Sequence, residues 1–173
     1  MEDAIQFAMQ HGYFEHPTFL QLRSLVPDWL LELGTEQGAA TLQSEYSVSL
    51  PSTVRHYVQL PELATVIEAG CDVNAFLNQM ADCFGAPPPY VLYHNGHAHL
   101  VIAFHNHSGG VCAVDLDGPE PMIRFGNADL ANFDLHPFDG ATYNFQEWVL
   151  SCVRNANLAR NHEKSRSFPI LLD

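Results

Sequence analysis

The stretch YVLYHNGHAHLVIAFH, residues 90–105, decides how this chain folds. Asn95-Gly96 stands between two apolar runs, and a two-residue hairpin turn needs positive φ at both central positions, which Asn and Gly tolerate best. Strands are therefore expected at about 90–94 and 97–105. Such a turn sets His94 opposite His97. The period-two alternation then places Tyr90, Leu92, His94, His97, His99, Val101 and, with no intervening bulge, His105 on one face. Val91, Tyr93, Ala98, Leu100, Ile102 and Phe104 take the other face. The second set is wholly apolar or aromatic, so it is expected to meet the core, while the His row meets water.

Beyond the hairpin, Gly109-Gly110 breaks the pattern, Val111 to Leu116 reads as a strand, Asp117-Gly118-Pro119 as a turn and Met122 to Phe125 as a further strand. The result is an antiparallel meander. A long helix follows from about Thr142, with Phe145, Trp148, Val149, Cys152, Val153 and Ala156 at the three-four spacing of a buried face. Upstream, Pro87-Pro88-Pro89 forbids a helix. Earlier segments read as helices: Ala4 to His11, then Pro27-Asp28 to Gly34, then two that open at Pro51 and Pro61, the second stopping at Gly70. Asp72 is expected to cap a further turn or two through Phe76, Leu77 and Met80, and residues 34–48 to form a loop. Helices on either side of one antiparallel sheet make an α+β domain over residues 1–160, with a basic tail at 161–173.

The 173 residues, 47% of them hydrophobic, suffice for one core and leave no room for a second full domain. Seven basic against 20 acidic residues give a net charge of -13. Direct nucleic-acid binding is therefore not expected, because basic side chains on phosphates dominate that affinity. The same field attracts cationic proteins and speeds their encounter. Four of the seven basic residues, Arg154, Arg160, Lys164 and Arg166, fall in the last helix and tail, expected either to fold back on the acidic body or to fray. Cys71, Cys83, Cys112 and Cys152 include no close pair, which points to buried reduced thiols. The acidic start Met1-Glu2-Asp3 and the absence of an apolar run near 18 residues suggest a cytoplasmic protein away from membranes.

Two constellations carry chemistry. His97-x-His99 on a strand, with His94 across from it, has the spacing of a three-His Zn²⁺ site with room for water, hence of metal-assisted hydrolysis; the competing reading is a solvated His row. Asp115, Asp117 and Glu120 gather around a turn. Their spacing does not fit a calcium loop, so they are expected on the surface as an anionic contact for a cationic partner. Nucleophile elbows, phosphate loops and His-Glu-x-x-His are absent from the sequence.

The stretch SLPSTVRHYVQLPELATVIEAG (49–70), through Leu50, Pro51 and Arg55, the block HNHSGGVCAVDLDGPEPMIRFG (105–126) and the closing FQEWVLSCV, through Phe145 and Trp148, resemble the SUKH superfamily. That superfamily includes a yeast cell-wall-synthesis regulator and many bacterial toxin-immunity proteins. His105, Asn106, His107 and Cys112 stand where relatives of this type often show Glu-Asn-Gln-Gly and then a Trp. The resemblance implies a SUKH-like fold and a non-enzymatic recognition domain without a cofactor, in its immunity branch one that blocks a toxin, often a basic nuclease. The expectation is thus a protein-binding module for a basic partner. A His-dependent metal protein or hydrolase and a regulatory scaffold without a toxin are the alternatives.

Overall fold

The computed structural model describes residues 1–15, 17–70, 73–74, 91–105, 110–129 and 131–161, and among them six helices precede the sheet. They are α1 (Glu2–Gln10), α2 (Pro17–Arg23), α3 (Asp28–Leu33), α4 (Glu36–Tyr46), α5 (Ser52–Val58) and α6 (Pro61–Gly70), with a 3₁₀ turn at Tyr13–Glu15. Pro51 and Pro61 sit at the starts of α5 and α6, where a missing N–H costs nothing.

Helix α4 occupies the stretch expected to be a loop. Thr35 starts it, its Oγ1 accepting the Gly38 N–H at 3.0 Å and donating to the Glu32 carbonyl at 2.7 Å. Only Ala39 and Leu42 are buried along its length, too narrow an apolar stripe to announce a helix in sequence. Ser47, at φ 54°, ends it in left-handed geometry.

The sheet has six strands: β1 (Val73–Asn74), β2 (Val91–His94), β3 (His97–His105), β4 (Val111–Asp115), β5 (Met122–Asp129) and β6 (Asp134–Asn144). The hairpin forms as expected, with Asn95 at φ 49°, Gly96 at φ 81° and His94 paired with His97. Short strand β1, antiparallel to the end of β3, stands at the start of the stretch after Asp72 that was expected to be helical. Residues 75–80 of that stretch and Pro87–Pro89 lie outside the described residues. Strand β6 was not anticipated either, because Pro137 and Gly140 mask its pattern, and it delays the final helix to Phe145. Its ladder with β5 jumps from Arg124↔Thr142 to Gly126↔Pro137, so β6 carries a bulge of extra residues there.

Strands β2 to β6 follow one another as an antiparallel meander, and then the ring closes. The start of β6 pairs in parallel with β2 at Tyr93↔Asp134, while β3 pairs with both β2 and β4. The fold is α+β, and its sheet is a small closed barrel.

Closure gives the strands two buried faces. Ala98, Leu100, Val114 and Ile123 face outward onto helices, packed with Val54, Leu63, Ile67 and Trp148. Leu92, Val101, Phe104, Val111, Ala113 and Leu135 fill the inside. The face expected to be wet is therefore a second core, with Leu92 0% and His99 1% exposed. A bulge between Val101 and Ala103 moves Phe104 from the outer face to the inner one. Conversely, Tyr93, expected in the core, is exposed.

Helix α7 (Phe145–Asn161) packs mainly on α6 and α1, and all six residues of its expected apolar face are buried. Its Phe145 ring meets Tyr57 edge-on at 5.3 Å and Trp148 meets Phe125 at 6.3 Å. Cys112 and Cys152 are buried, as expected of thiols; Cys71 and Cys83 lie outside the described residues, as do residues 162–173 of the tail. No described helix is long and apolar enough to cross a membrane.

Candidate functional site

One end of the barrel collects most of the residues that the sequence singles out. Pairing β3 with β4 sets His99 directly across from Asp115, and strand alternation turns both inward. His97, two residues nearer the hairpin end, shares that row. Its Nδ1–H donates to both Asp115 carboxylate oxygens, at 3.2 and 3.3 Å, and its side chain remains 49% exposed. The His99 Nδ1–H donates to the His97 carbonyl at 3.0 Å, which leaves Nε2 facing Asp115 Oδ2 at 3.8 Å. That separation is too long for a hydrogen bond, and Nε2 has no hydrogen-bond partner among the described residues.

Asp115 is tied from the other side as well. Its Oδ1 accepts the backbone N–H groups of Asp117 at 3.0 Å and Gly118 at 3.1 Å, the turn that an Asp followed by Asp-Gly favours. Asp117 Oδ2 in turn accepts the Ala98 N–H at 2.7 Å, stitching the β4–β5 turn to the start of β3. Burial pushes the His99 pKa down, an effect that the nearby Asp115 charge opposes and that Arg124 and His94 reinforce. Burial alone would raise the Asp115 pKa, but the Asp117 N–H and the two imidazoles outweigh it and hold the carboxyl below its usual range.

The predicted residues are thus placed unevenly. Asp115 is not a surface contact: it is 4% exposed and committed to the two imidazoles and the turn. Asp117 and Glu120 are exposed, the latter accepting from the Asn144 amide at 3.3 Å. His94, His97 and His99 do lie at one end of the hairpin, with the His94 and His99 rings 6.3 Å apart. They do not converge on a common point, however. His97 and His99 turn toward Asp115, His94 Nε2 takes the Asn95 amide at 3.0 Å, and among the described residues no three His, Cys, Asp or Glu side chains are set to share a metal ion. The side chain of His105 lies outside the described set. Sequence inspection missed the acidic partner of the imidazoles because Asp115 reaches them through strand pairing rather than along the chain. It missed Arg124 too, whose inward row position opposite Ala113 leaves Nε buried without a hydrogen-bond partner among the described residues. The available signal was the alternation Val111, Ala113, Asp115, which predicts one inward row. Chemically, the assembly fixes imidazole tautomers and closes a barrel end.

A different surface is exposed and charged. Asp28 and Glu32 on α3, with Glu36 and Glu45 on α4, all face solvent. Trp29, Glu32, Thr41 and Glu45 help line a cleft of about 140 Å³ between these helices. Three of the described arginines are engaged elsewhere: Arg23 pairs with Glu62 at 3.4 Å, Arg55 donates to Gln43 Oε1 at 3.0 Å, and Arg154 lies 5.8 Å from the centre of the Phe7 ring. Comparison of the chain with protein-family models, with curated proteins and with solved structures returned no match.

Proposed function

We propose that the chain is a non-enzymatic, cytoplasmic binding module that captures a cationic protein by electrostatic complementarity. The observation that carries this reading is the charge layout: the exposed carboxylates of Asp28, Glu32, Glu36 and Glu45 on α3 and α4 form no ion pair among the described residues, while three of the described arginines are occupied by a carboxylate, an amide oxygen and an aromatic ring. Such a field raises the rate of encounter with a basic surface, and the bound protein then blocks whatever that surface does. In its narrower form, which follows the SUKH resemblance, the partner is a basic toxin of the nuclease type and the module is its immunity protein. The imidazoles held by Asp115 favour a structural part for the His cluster over metal chemistry.

The test is capture of a basic protein from host lysate followed by association kinetics with the purified pair. Raising ionic strength from about 0.01 M to about 0.15 M shortens the Debye length from ~30 Å to ~8 Å. The association rate should fall steeply over that range and be indifferent to chelators. A rate insensitive to salt, or an association abolished by chelation, refutes this reading.

A further inference from the structure

Phe133 is a bulky aromatic held at φ 58°, a conformation that suits Gly or Asn and strains a side chain of this kind. The backbone has a reason for the geometry. Asp129 Oδ1 accepts the N–H groups of Ala131 and Asn132 in the preceding turn, and the Phe133 carbonyl then accepts the Tyr93 N–H at 2.7 Å, closing the barrel. Gly would serve that backbone better. Phe133 gains only partial burial in return, since it is 51% exposed. That partial burial is a small return for the strain, and residues held in strained conformations cluster at functional and contact sites.

The neighbourhood supplies the rest of such a surface. Tyr93, itself 36% exposed, lies next to Phe133 through the shared hydrogen bond and donates its hydroxyl to the Tyr46 carbonyl at 3.2 Å. Acidic residues neighbour these two along the chain and across the ladder: Asp134 follows Phe133 and is paired across from Tyr93, Asp129 is paired across from Asp134, and Glu45 precedes Tyr46, whose carbonyl takes the Tyr93 hydroxyl. His136, on the same strand as Asp134, acts on Asp129. Two exposed aromatic residues joined by a backbone hydrogen bond, with acidic residues beside them, match a protein segment that presents an arginine or lysine beside an apolar side chain, because rings and carboxylates both attract such cations.

We infer that Tyr93 and Phe133, with Asp134, Asp129 and Glu45 beside them, form the face on which the cationic partner docks. This inference rests on the binding-module reading and assigns it a place. The probe is a synthetic peptide of alternating arginine and leucine, titrated into isotopically labelled protein at low ionic strength. Amide shifts should concentrate at Tyr93, Phe133, Asp134 and Glu45. Phe133→Gly should weaken binding at least about tenfold, the loss typical of an aromatic anchor, while leaving the melting temperature equal or higher, because it relieves the backbone. Asp134→Asn should flatten the salt dependence. Shifts confined to Glu2, Asp3, Asp28 and Glu36, with Phe133→Gly binding normally, refute this face and leave the acidic module standing. No shift anywhere at low salt refutes both. A dimer in sedimentation that Phe133→Gly disperses assigns the face to a second copy of the chain and overturns the cationic occupant.

Discussion

Asp115 and His99 face each other across the β3–β4 ladder inside the barrel, with Oδ2 3.8 Å from Nε2 and both side chains almost wholly buried. Asp115 is satisfied by His97 and by two backbone N–H groups, whereas the Nε2 atom of His99 has no hydrogen-bond partner among the described residues. The pair therefore holds together through what surrounds Asp115 more than through a bond between its members.

Removing that acceptor should cost more than removing either neighbour in the turn. Asp115→Ala strands the Asp117 and Gly118 N–H groups, with an expected loss of about 2–4 kcal/mol. Asp117→Ala releases only the Ala98 N–H and should cost about 1–2 kcal/mol. Glu120→Ala, at an exposed site, should stay within about 0.5 kcal/mol. Urea denaturation of the three variants gives the ranking, and equal losses at Asp115 and Glu120 would show that the turn carries no such role.

Stability should decline as the medium is acidified. The His99 pKa is lowered by burial, so below the ordinary His value of about 6.5 the unfolded chain takes up a proton that the native state refuses. Asp115 acts with the same sign at lower pH, because its depressed pKa lets the unfolded carboxyl protonate first. Each group adds a slope of at most about 1.4 kcal/mol per pH unit. His99→Leu should flatten the stability profile between about pH 6.5 and 5 and leave the steeper acid limb intact; an unchanged profile in that window would exclude His99 as its source.

Gly126→Ala should be strongly destabilising. A methyl group there meets the His136 carbonyl and comes within 2.8 Å of the Pro137 Cα, both backbone of the paired strand β6. Overpacking of this kind costs about 1–3 kcal/mol, and the loss should appear as a lower denaturation midpoint with the slope unchanged. Gly12→Asn, at φ 63° with open space around the site, should be tolerated far better.

Helix α4 should depend on its first hydrogen bond. Thr35→Ala removes the acceptor for the Gly38 N–H and should cost about 1 kcal/mol, with Thr35→Ser restoring most of it. A cap that proved neutral would place the stability of α4 in Ala39 and Leu42 instead.

The parts of this protein that its sequence determines are those governed by short-range chemistry. Asn95-Gly96 specified both the turn and the His94↔His97 register, because few other pairs accept two positive φ angles in succession. The apolar face of α7 and the proline starts of α5 and α6 were equally legible, since each depends on residues within a turn or two. Tertiary structure decided the rest. Whether the His99 row met water or a core turned on barrel closure, which rests on one parallel pairing between Tyr93 and Asp134, 41 positions apart in the numbering and in no shared motif. A bulge at Val101 to Ala103 moved Phe104 from one face to the other, and the ladder of β6 shifted register, neither leaving a periodic trace. Asp115 read as a surface carboxylate because the polar turn Asp117-Gly118-Pro119-Glu120 follows it closely, and it became the buried anchor of two imidazoles because strand pairing delivered them. Alternation along a strand says which residues share a face, and only the layers packed on either side say which face is buried.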